Sequence, residues 1–159
     1  MGFDELDDGD ARALLLRCLS APDWADQVLA GRPYATEQDL TDAADRAARQ
    51  LSDGDVEAAL AGHPRIGEPA AATHNAAASS HEQSGVDAGD VSTAEQLADG
   101  NRAYEARFGH VFLIRAAGRT GPEILGELRR RLDNPPEVER DEMLDNLRQI
   151  MLVRLDQEA

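Results

Sequence analysis

The sequence predicts an all-α protein, a single-domain bundle of about seven to nine helices. Apolar residues recur at spacings of three and four along most of the chain, and polar caps or prolines mark where several of these patterns begin. Strand-type alternation is scarce, and no repeat of solenoid length is visible. No Pro- or Ser-rich linker divides the 159 residues, so we expect one domain that spans residues 1–159.

The first part of the chain predicts four short helices, each with an apolar face. The second helix follows Ser20 and has Pro22 in its first turn, and the third follows a Thr36 cap. The fourth ends near Gly62. The residues that form three of these faces are Leu14, Leu15, Cys18 and Leu19, then Leu40, Ala43, Ala44, Ala47 and Leu51, and finally Val56, Ala59 and Leu60.

The last part of the chain predicts three longer helices. Capping boxes are expected where Ser92 and Thr120 are each followed three residues later by Glu, and Gly109 is expected to end the first of the three. The Asn134-Pro135-Pro136 sequence separates the second from the third. Their apolar faces consist of Leu97, Asn101, Tyr104 and Phe108, then Ile124, Leu125, Leu128 and Leu132, and finally Met143, Leu144, Leu147, Ile150, Met151 and Leu155.

Two segments do not show this helical pattern. Residues 68–90 are rich in Ala, Ser, His and Gly and by composition resemble a linker, although Glu82-Gln83 is typical of the first turn of a helix. Val111-Phe112-Leu113-Ile114 is a compact apolar run, too short to decide between a buried strand and a helical turn. We interpret this run as part of the core.

Charge and cysteine content exclude several classes of function. The formal net charge of −15 would repel a phosphate backbone, so we do not expect a nucleic-acid partner. Cys18 is the one cysteine, which rules out an intrachain disulfide and favours a buried thiol in a reducing compartment. The first residues lack the pattern of a signal peptide, and no segment has the length and apolarity of a membrane span. We therefore expect a cytoplasmic protein with no membrane partner.

Proton-transfer groups concentrate in two fragments, His63-Pro64-Arg65-Ile66-Gly67 and Ser79-Ser80-His81-Glu82-Gln83. His63 titrates near neutrality, so it can bind an anion as a cation or deliver a proton, and Pro64 restricts the backbone beside it. Glu82 can orient His63 or accept a hydrogen bond from a hydroxyl group, while Gln83 offers both a donor and an acceptor. The alternatives are an exposed turn histidine and a solvated acidic pair in the first turn of a helix.

These fragments, in order, resemble the OHCU decarboxylase family, which acts on 2-oxo-4-hydroxy-4-carboxy-5-ureidoimidazoline. The resemblance continues through Asn101-Arg102-Ala103-Tyr104, Phe112-Leu113-Ile114-Arg115-Ala116 and a terminal segment from Arg148 to Leu155, and so spans nearly the whole chain. It implies a cofactor-free decarboxylation that yields (S)-allantoin, the last step from urate. It also implies an all-helical fold and a homodimer.

The resemblance further implies which residues form the site. His63 and Glu82 take the positions of the catalytic residues. The contacts made by Phe112–Ala116 are implied to be largely main-chain, so that Arg115 need not touch the substrate. The implied substrate-binding residues are Pro64, Ser79, Ser80, His81, Glu82 and Gln83, then Phe112, Leu113, Ile114, Arg115 and Ala116, and by its position on the last helix Arg154.

The chemistry of this substrate fits a site made of ordinary side chains. Losing carbon dioxide leaves a carbanion, which the adjacent C=N or C=O group of the substrate can delocalise, so we expect no metal and no organic cofactor. An anionic substrate needs local positive groups, for which Arg154 is the first candidate and Arg119 the second. Arg154 could instead form an interhelical ion pair.

Two other functions remain open at this point. The abundance of helices would also suit a non-enzymatic helical interaction module, whose acidic surface keeps it soluble. A set of His63, His74, His81 and Glu82 could bind a metal ion, although the spacing matches no strong helix-borne motif.

Overall fold

A computed structural model of the chain describes residues 2–61, 63 and 91–158, and the structural statements below concern these residues. They form seven α-helices and one 3₁₀ turn, Phe3–Glu5, and contain no strand. The prediction of an all-α protein is thus confirmed. The helices are α1 Asp8–Cys18, α2 Pro22–Ala30, α3 Glu37–Ala48, α4 Asp53–Ala61, α5 Val91–Phe108, α6 Gly121–Leu132 and α7 Pro136–Glu158.

The chain divides into two compact units. The first unit comprises residues 1–62 together with 148–159, and the second comprises residues 63–147. Helix α7 therefore contributes its first half to the second unit and its second half to the first. That the whole chain acts as one domain stays a prediction.

Helix α2 is at the centre of the first unit, where it packs against α1, α3 and α4. Its Trp24 is 1% exposed, and the indole Nε1 donates a hydrogen bond to the carbonyl of Ala44 on α3 at 3.0 Å. This bond satisfies the one polar group of a large buried aromatic ring. Cys18 is buried, as predicted.

The ends of these helices are set by local side-chain chemistry. The Thr36 hydroxyl accepts a hydrogen bond from the Asp39 amide at 3.0 Å, which confirms the predicted cap of α3. Helix α2 has Pro22 in its first turn as predicted, and its N-cap residue is Ala21, which offers no side-chain bond. A fixed proline φ angle therefore takes the place of a side-chain cap here.

The second unit is built on the packing of α5 against α6. Its core is formed by residues from these two helices and from the segment between them, namely Leu97, Tyr104, Phe112, Ile114, Ala116, Ile124, Leu125 and Leu128. Gly100 lies directly against Leu128, where a Cβ atom would collide with the leucine side chain. The two helices can therefore approach closely at this point.

The predicted ends of α5 and α6 are partly confirmed. Thr120 and Glu123 form the predicted capping box at the start of α6, and Gly109 follows α5 with a φ angle of +78°. Ser92, in contrast, was wrong as a cap, because α5 is described from Val91 and Ser92 lies within its first turn. Its hydroxyl accepts a hydrogen bond from the side-chain amide of Gln96 at 3.1 Å, so the serine and the polar residue one turn later do interact.

No helix among the described residues combines the length and apolarity that crossing a bilayer requires.

Candidate functional site

His63 is the one residue of the two predicted catalytic fragments that the structure describes. It lies two residues beyond the end of α4, outside any helix, and its side chain is half-buried. Pro64 and the segment from Ser79 to Gln83, which includes Glu82, lie outside the described residues. The pairing of His63 with Glu82 therefore stays a prediction.

Residues 111–116 form an irregular segment between α5 and α6. It is neither of the two structures that the sequence left open, a strand or a helical turn. The side chains of Phe112, Leu113, Ile114 and Ala116 are all less than 5% exposed, which confirms that the apolar run is core. Among residues 112–116, Arg115 alone is half-buried.

Two side chains bind the main chain of this segment on either side of Ile114. Arg131 Nη1 on α6 donates to the Leu113 carbonyl at 2.8 Å, and Asn146 Oδ1 on α7 accepts from the Arg115 amide at 3.0 Å. Further along, Arg119 Nε donates to the Arg115 carbonyl at 2.9 Å. The path of the segment is therefore fixed by side chains rather than by a neighbouring strand.

Arg131 belongs to a buried ion pair that sequence analysis missed. Its side chain is 1% exposed, its Nε is 2.8 and 3.1 Å from the two carboxylate oxygens of Glu139, and Glu139 is fully buried. The Tyr104 hydroxyl donates to Glu139 at 2.5 Å, and burial followed by this bond to a carboxylate raises the pKa of Tyr104. The guanidinium also lies 4.7 Å from the centre of the Phe112 ring, in cation–π geometry.

A sequence signal for this pair does exist. Arg131 follows Ile124 and Leu128 at the helical spacings i+7 and i+3, so it belongs to the apolar face of α6 although it ends an Arg-Arg-Arg run. Glu139 likewise precedes Met143 and Leu147 on the buried face of α7. A charged residue on the apolar face of a helix is expected to be buried, and a buried charge needs a partner of opposite charge. Arg131 and Glu139 each meet the first condition, so together they predict a buried ion pair.

Arg154 lies on the part of α7 that belongs to the first unit and is 1% exposed. Burial, and after it the nearby charge of Glu158, raises the pKa of the Cys18 thiol to about 12, while Arg154 and Arg17 act in the opposite direction. A guanidinium this deeply buried needs compensating groups, as a buried charge is costly to leave unmatched. The role of Arg154 in binding a carboxylate stays a prediction.

The described residues do not bring together three or more His, Cys, Asp or Glu side chains in a group that could hold a metal ion. Of the four candidate ligands of the metal hypothesis, His63 is described, whereas His74, His81 and Glu82 lie outside the described part of the chain.

The described residues form an all-α fold in which side chains support a buried segment of irregular backbone. Residues 4–156 match the sequence model of the OHCU decarboxylase family. The chain therefore belongs to that family, as the motif order predicted.

Relatives of known sequence or structure agree with this assignment. The chain is 32% identical over 126 residues to the "Uric acid degradation bifunctional protein TTL" of Arabidopsis thaliana, a match that covers 77% of this chain and 39% of the relative. The chain thus spans about two fifths of the length of that curated relative. A crystal structure of OHCU decarboxylase in the presence of (S)-allantoin matches with a TM-score of 0.76 and 25% identity, covering 96% of this chain and 97% of the other.

A crystal structure of (S)-allantoin synthase has the same fold. It matches with a TM-score of 0.72 and 17% identity, and the match covers 98% of this chain and 52% of that protein.

Proposed function

We propose that the protein decarboxylates 2-oxo-4-hydroxy-4-carboxy-5-ureidoimidazoline to (S)-allantoin, the last step in the conversion of urate to allantoin. The observation that carries the proposal is family membership over residues 4–156. It is supported by a solved OHCU decarboxylase, crystallised in the presence of (S)-allantoin, whose structure matches over nearly its full length. The substrate would be a small ureido acid, and no cofactor is included in the proposal.

The reaction breaks the bond between the ring carbon and its carboxylate carbon. Carbon dioxide leaves, and the electron pair of the broken bond passes into the adjacent C=N group of the ring. The ring nitrogen takes up a proton, and the hydroxyl group on the decarboxylated carbon loses its proton as that carbon becomes a carbonyl. The neighbouring, ureido-bearing carbon gains a proton and becomes the stereocentre of allantoin. An enzyme accelerates such a step by surrounding the developing charge with fixed hydrogen-bond donors and by delivering the proton from one side.

His63 is the proposed proton donor. It is half-buried and lies two residues beyond the end of α4, outside any helix. An imidazole titrates close to neutral pH, so the same group can bind the substrate anion as a cation and then give up its proton. Glu82 is proposed to orient this ring, and Pro64 and the residues from Ser79 to Gln83 to bind the substrate, as the family resemblance implies.

The segment Phe112–Ala116 is proposed to bind the ureido or ring amide groups through its main chain. The family resemblance supports this proposal, as do the hydrogen bonds of Arg131 and Asn146 that fix the main chain of this segment. Arg154 is proposed to bind the substrate carboxylate, since a guanidinium forms paired hydrogen bonds with that group.

The proposal is tested by generating the unstable substrate from urate in situ and following (S)-allantoin by circular dichroism. We expect the (S) signal to appear faster than in the spontaneous reaction. A rate equal to the spontaneous background, with folded protein present, would overturn the proposed function.

The role of His63 is tested separately with His63→Ala and a matched control, His110→Gln. His110 is also half-buried in the second unit but contacts the rings of Tyr104 and Phe108. We expect His63→Ala to lower kcat by roughly a hundredfold or more and KM to change little, because a general acid acts mainly in the transition state. An active and stereoselective His63→Ala protein would remove this residue from the mechanism.

We also propose that the protein acts as a homodimer in the cytoplasm, as the resemblance to the family implies. Light scattering coupled to size-exclusion chromatography at micromolar concentration tests the dimer. A mass close to 17.2 kDa, which is that of one chain, would contradict it.

A further inference from the structure

Two side chains from different helices bind the same three residues of main chain in the second unit. Arg131 donates to the carbonyl of Leu113 at 2.8 Å, and Asn146 accepts from the amide of Arg115 at 3.0 Å. Arg131 and Asn146 therefore fix the main chain on both sides of Ile114.

Both side chains are themselves held in place. Glu139 binds the Arg131 guanidinium through both carboxylate oxygens, and Phe112 lies against its face. The Asn146 side-chain amide donates to the carbonyl of Glu142 on its own helix at 2.9 Å, which fixes the orientation of its acceptor oxygen. A bidentate pair and an amide bonded at both ends restrict movement more than a single contact does.

The main chain of Ile114 lies between these two hydrogen bonds. Within the described part of the chain, no residue hydrogen-bonds to the Ile114 amide or carbonyl, and the residue as a whole is 2% exposed. Buried backbone groups nearly always have a partner. An adjacent amide donor and carbonyl acceptor match the carbonyl and N–H groups of a ureide or cyclic amide.

We infer that Arg131 and Asn146 are positioning residues for the decarboxylation proposed above, because they fix the main chain around Ile114 within the segment that is proposed to bind the substrate. The inference rests on the proposed function. It assigns roles to two residues that do not belong to the predicted set of substrate contacts. Their effect should therefore appear in substrate binding more than in the chemical step.

Asn146 offers the sharper test, since it is only half-buried and its replacement leaves the ion pair of Arg131 intact. Asn146→Leu removes the acceptor for the Arg115 amide at similar volume, whereas Asn146→Asp keeps an acceptor oxygen. Glu142→Gln is the control on the same helix, because the Glu142 side chain pairs with Arg130 and accepts a hydrogen bond from Asn134 but does not touch the segment.

We expect Asn146→Leu to raise KM about fivefold with little change in kcat, the size of effect that one misplaced hydrogen bond produces. Asn146→Asp should recover most of the wild-type KM, and Glu142→Gln should stay within about twofold of it. A purely structural defect would lower the fraction of active protein, and hence the apparent kcat, and would leave KM unchanged.

A second measurement reports directly on the hydrogen bond between the Arg115 amide and the Asn146 side chain. Amide hydrogen exchange of Arg115, measured by NMR, should be faster in Asn146→Leu than in the wild type and in Asn146→Asp. Arg131→Lys, which retains a positive charge for Glu139 but lacks the planar fork that reaches Leu113, should raise KM in the same direction as Asn146→Leu.

The outcomes separate the two proposals. Absence of wild-type activity overturns the proposed function and this inference with it. Wild-type activity combined with an unchanged KM in Asn146→Leu, or with an equal rise in Asn146→Leu and Asn146→Asp, overturns the positioning role alone.

Discussion

The charged guanidinium of Arg131 lies in the core of the second unit, and the residue is 1% exposed. The charge is tolerated because Glu139 neutralises it and Tyr104, Asn134 and the Leu113 carbonyl complete the hydrogen bonds of the pair. A buried pair of this kind contributes little net stability compared with apolar residues of the same shape, but breaking it leaves one charge uncompensated. The ion pair contributes mainly to structure, because it holds the main-chain segment that contains Leu113 in place.

Adjacent arginines on α6 allow this cost to be measured. We expect Arg131→Met to lower the free energy of unfolding by about 3–5 kcal/mol, because Glu139 would stay buried without its partner. Arg130→Met should lower it by less than about 1 kcal/mol, since Arg130 is half-exposed and its pairs with Glu127 and Glu142 lie at the surface. Guanidinium chloride denaturation of both variants provides the comparison, and equal losses would contradict the assignment of a buried pair.

Cys18 links burial to the pH dependence of stability. Its thiol has an ordinary pKa of 9.0, which burial and Glu158 raise to about 12 in the folded protein. Between these two values the unfolded chain has lost the thiol proton and the folded chain has kept it. The contribution of Cys18 to stability is therefore fully present below pH 9 and decreases by about 1.4 kcal/mol for each pH unit up to about pH 12.

Cys18→Ala should remove this part of the alkaline loss. We expect the variant to be about 1 kcal/mol less stable than the wild type at pH 7, because of the smaller side chain, and to lose less stability between pH 9 and pH 11. Val28→Ala, a buried truncation without a titrating group in the same unit, is the control and should keep the wild-type pH slope. Denaturation curves at several pH values test this, and parallel slopes for all three proteins would exclude the thiol as a cause.

At the level of the elements, the helices could be predicted because their signals are local. The Thr36 cap, the capping box at Thr120 and the glycine at position 109 act within one turn of a helix, and the structure has all three. The state of Phe112–Ala116 could not be predicted, since it depends on Arg131 and Asn146, which follow much later in the sequence. Local periodicity contains no information about such distant partners.

The site was predicted by a different route. The residues of His63-Pro64-Arg65-Ile66-Gly67 and of Ser79–Gln83 indicate proton transfer, but it was their order along the chain that indicated the family, which the comparison over residues 4–156 confirms. The buried pair was missed because Arg131 ends a run of three arginines, a composition typical of a solvated surface. Its register with Ile124 and Leu128 distinguishes it from Arg129 and Arg130, which are exposed.

The contact between α5 and α6 depends on a small residue at position 100. We expect Gly100→Ala to destabilise the protein by about 1 kcal/mol, because the gain in helix propensity is outweighed by the collision of the new Cβ with Leu128, which is fully buried. Gly126→Ala on α6 has no atom within 4 Å of its new Cβ and should stabilise the protein by about 0.5–1 kcal/mol. Thermal denaturation of the two variants measures this difference in sign, and stabilisation by both would contradict close packing at Gly100.

At the scale of the whole molecule, the net charge of the chain has the same sign as the charge of the substrate that the family assignment suggests. The proposed substrate is a carboxylate, yet the chain has a formal net charge of −15. The long-range field of such a chain repels an anion, so the proposed reaction requires short-range positive groups, and Arg154 and His63 are the candidates proposed above. Buried or half-buried cations are suited to this task, since salt screens them less than it screens the surface charges.

This difference in range predicts how activity depends on salt. Raising the ionic strength from about 10 mM to about 150 mM shortens the Debye length from about 30 Å to about 8 Å, so the repulsion by distant carboxylates weakens while contacts inside the site persist. We expect kcat/KM to rise about twofold to fivefold and kcat to stay constant. Sucrose at equal osmolality is the control and should change neither parameter. A fall of kcat/KM with added salt would mean that attraction by local cations, rather than the net charge of −15, governs the encounter with the substrate.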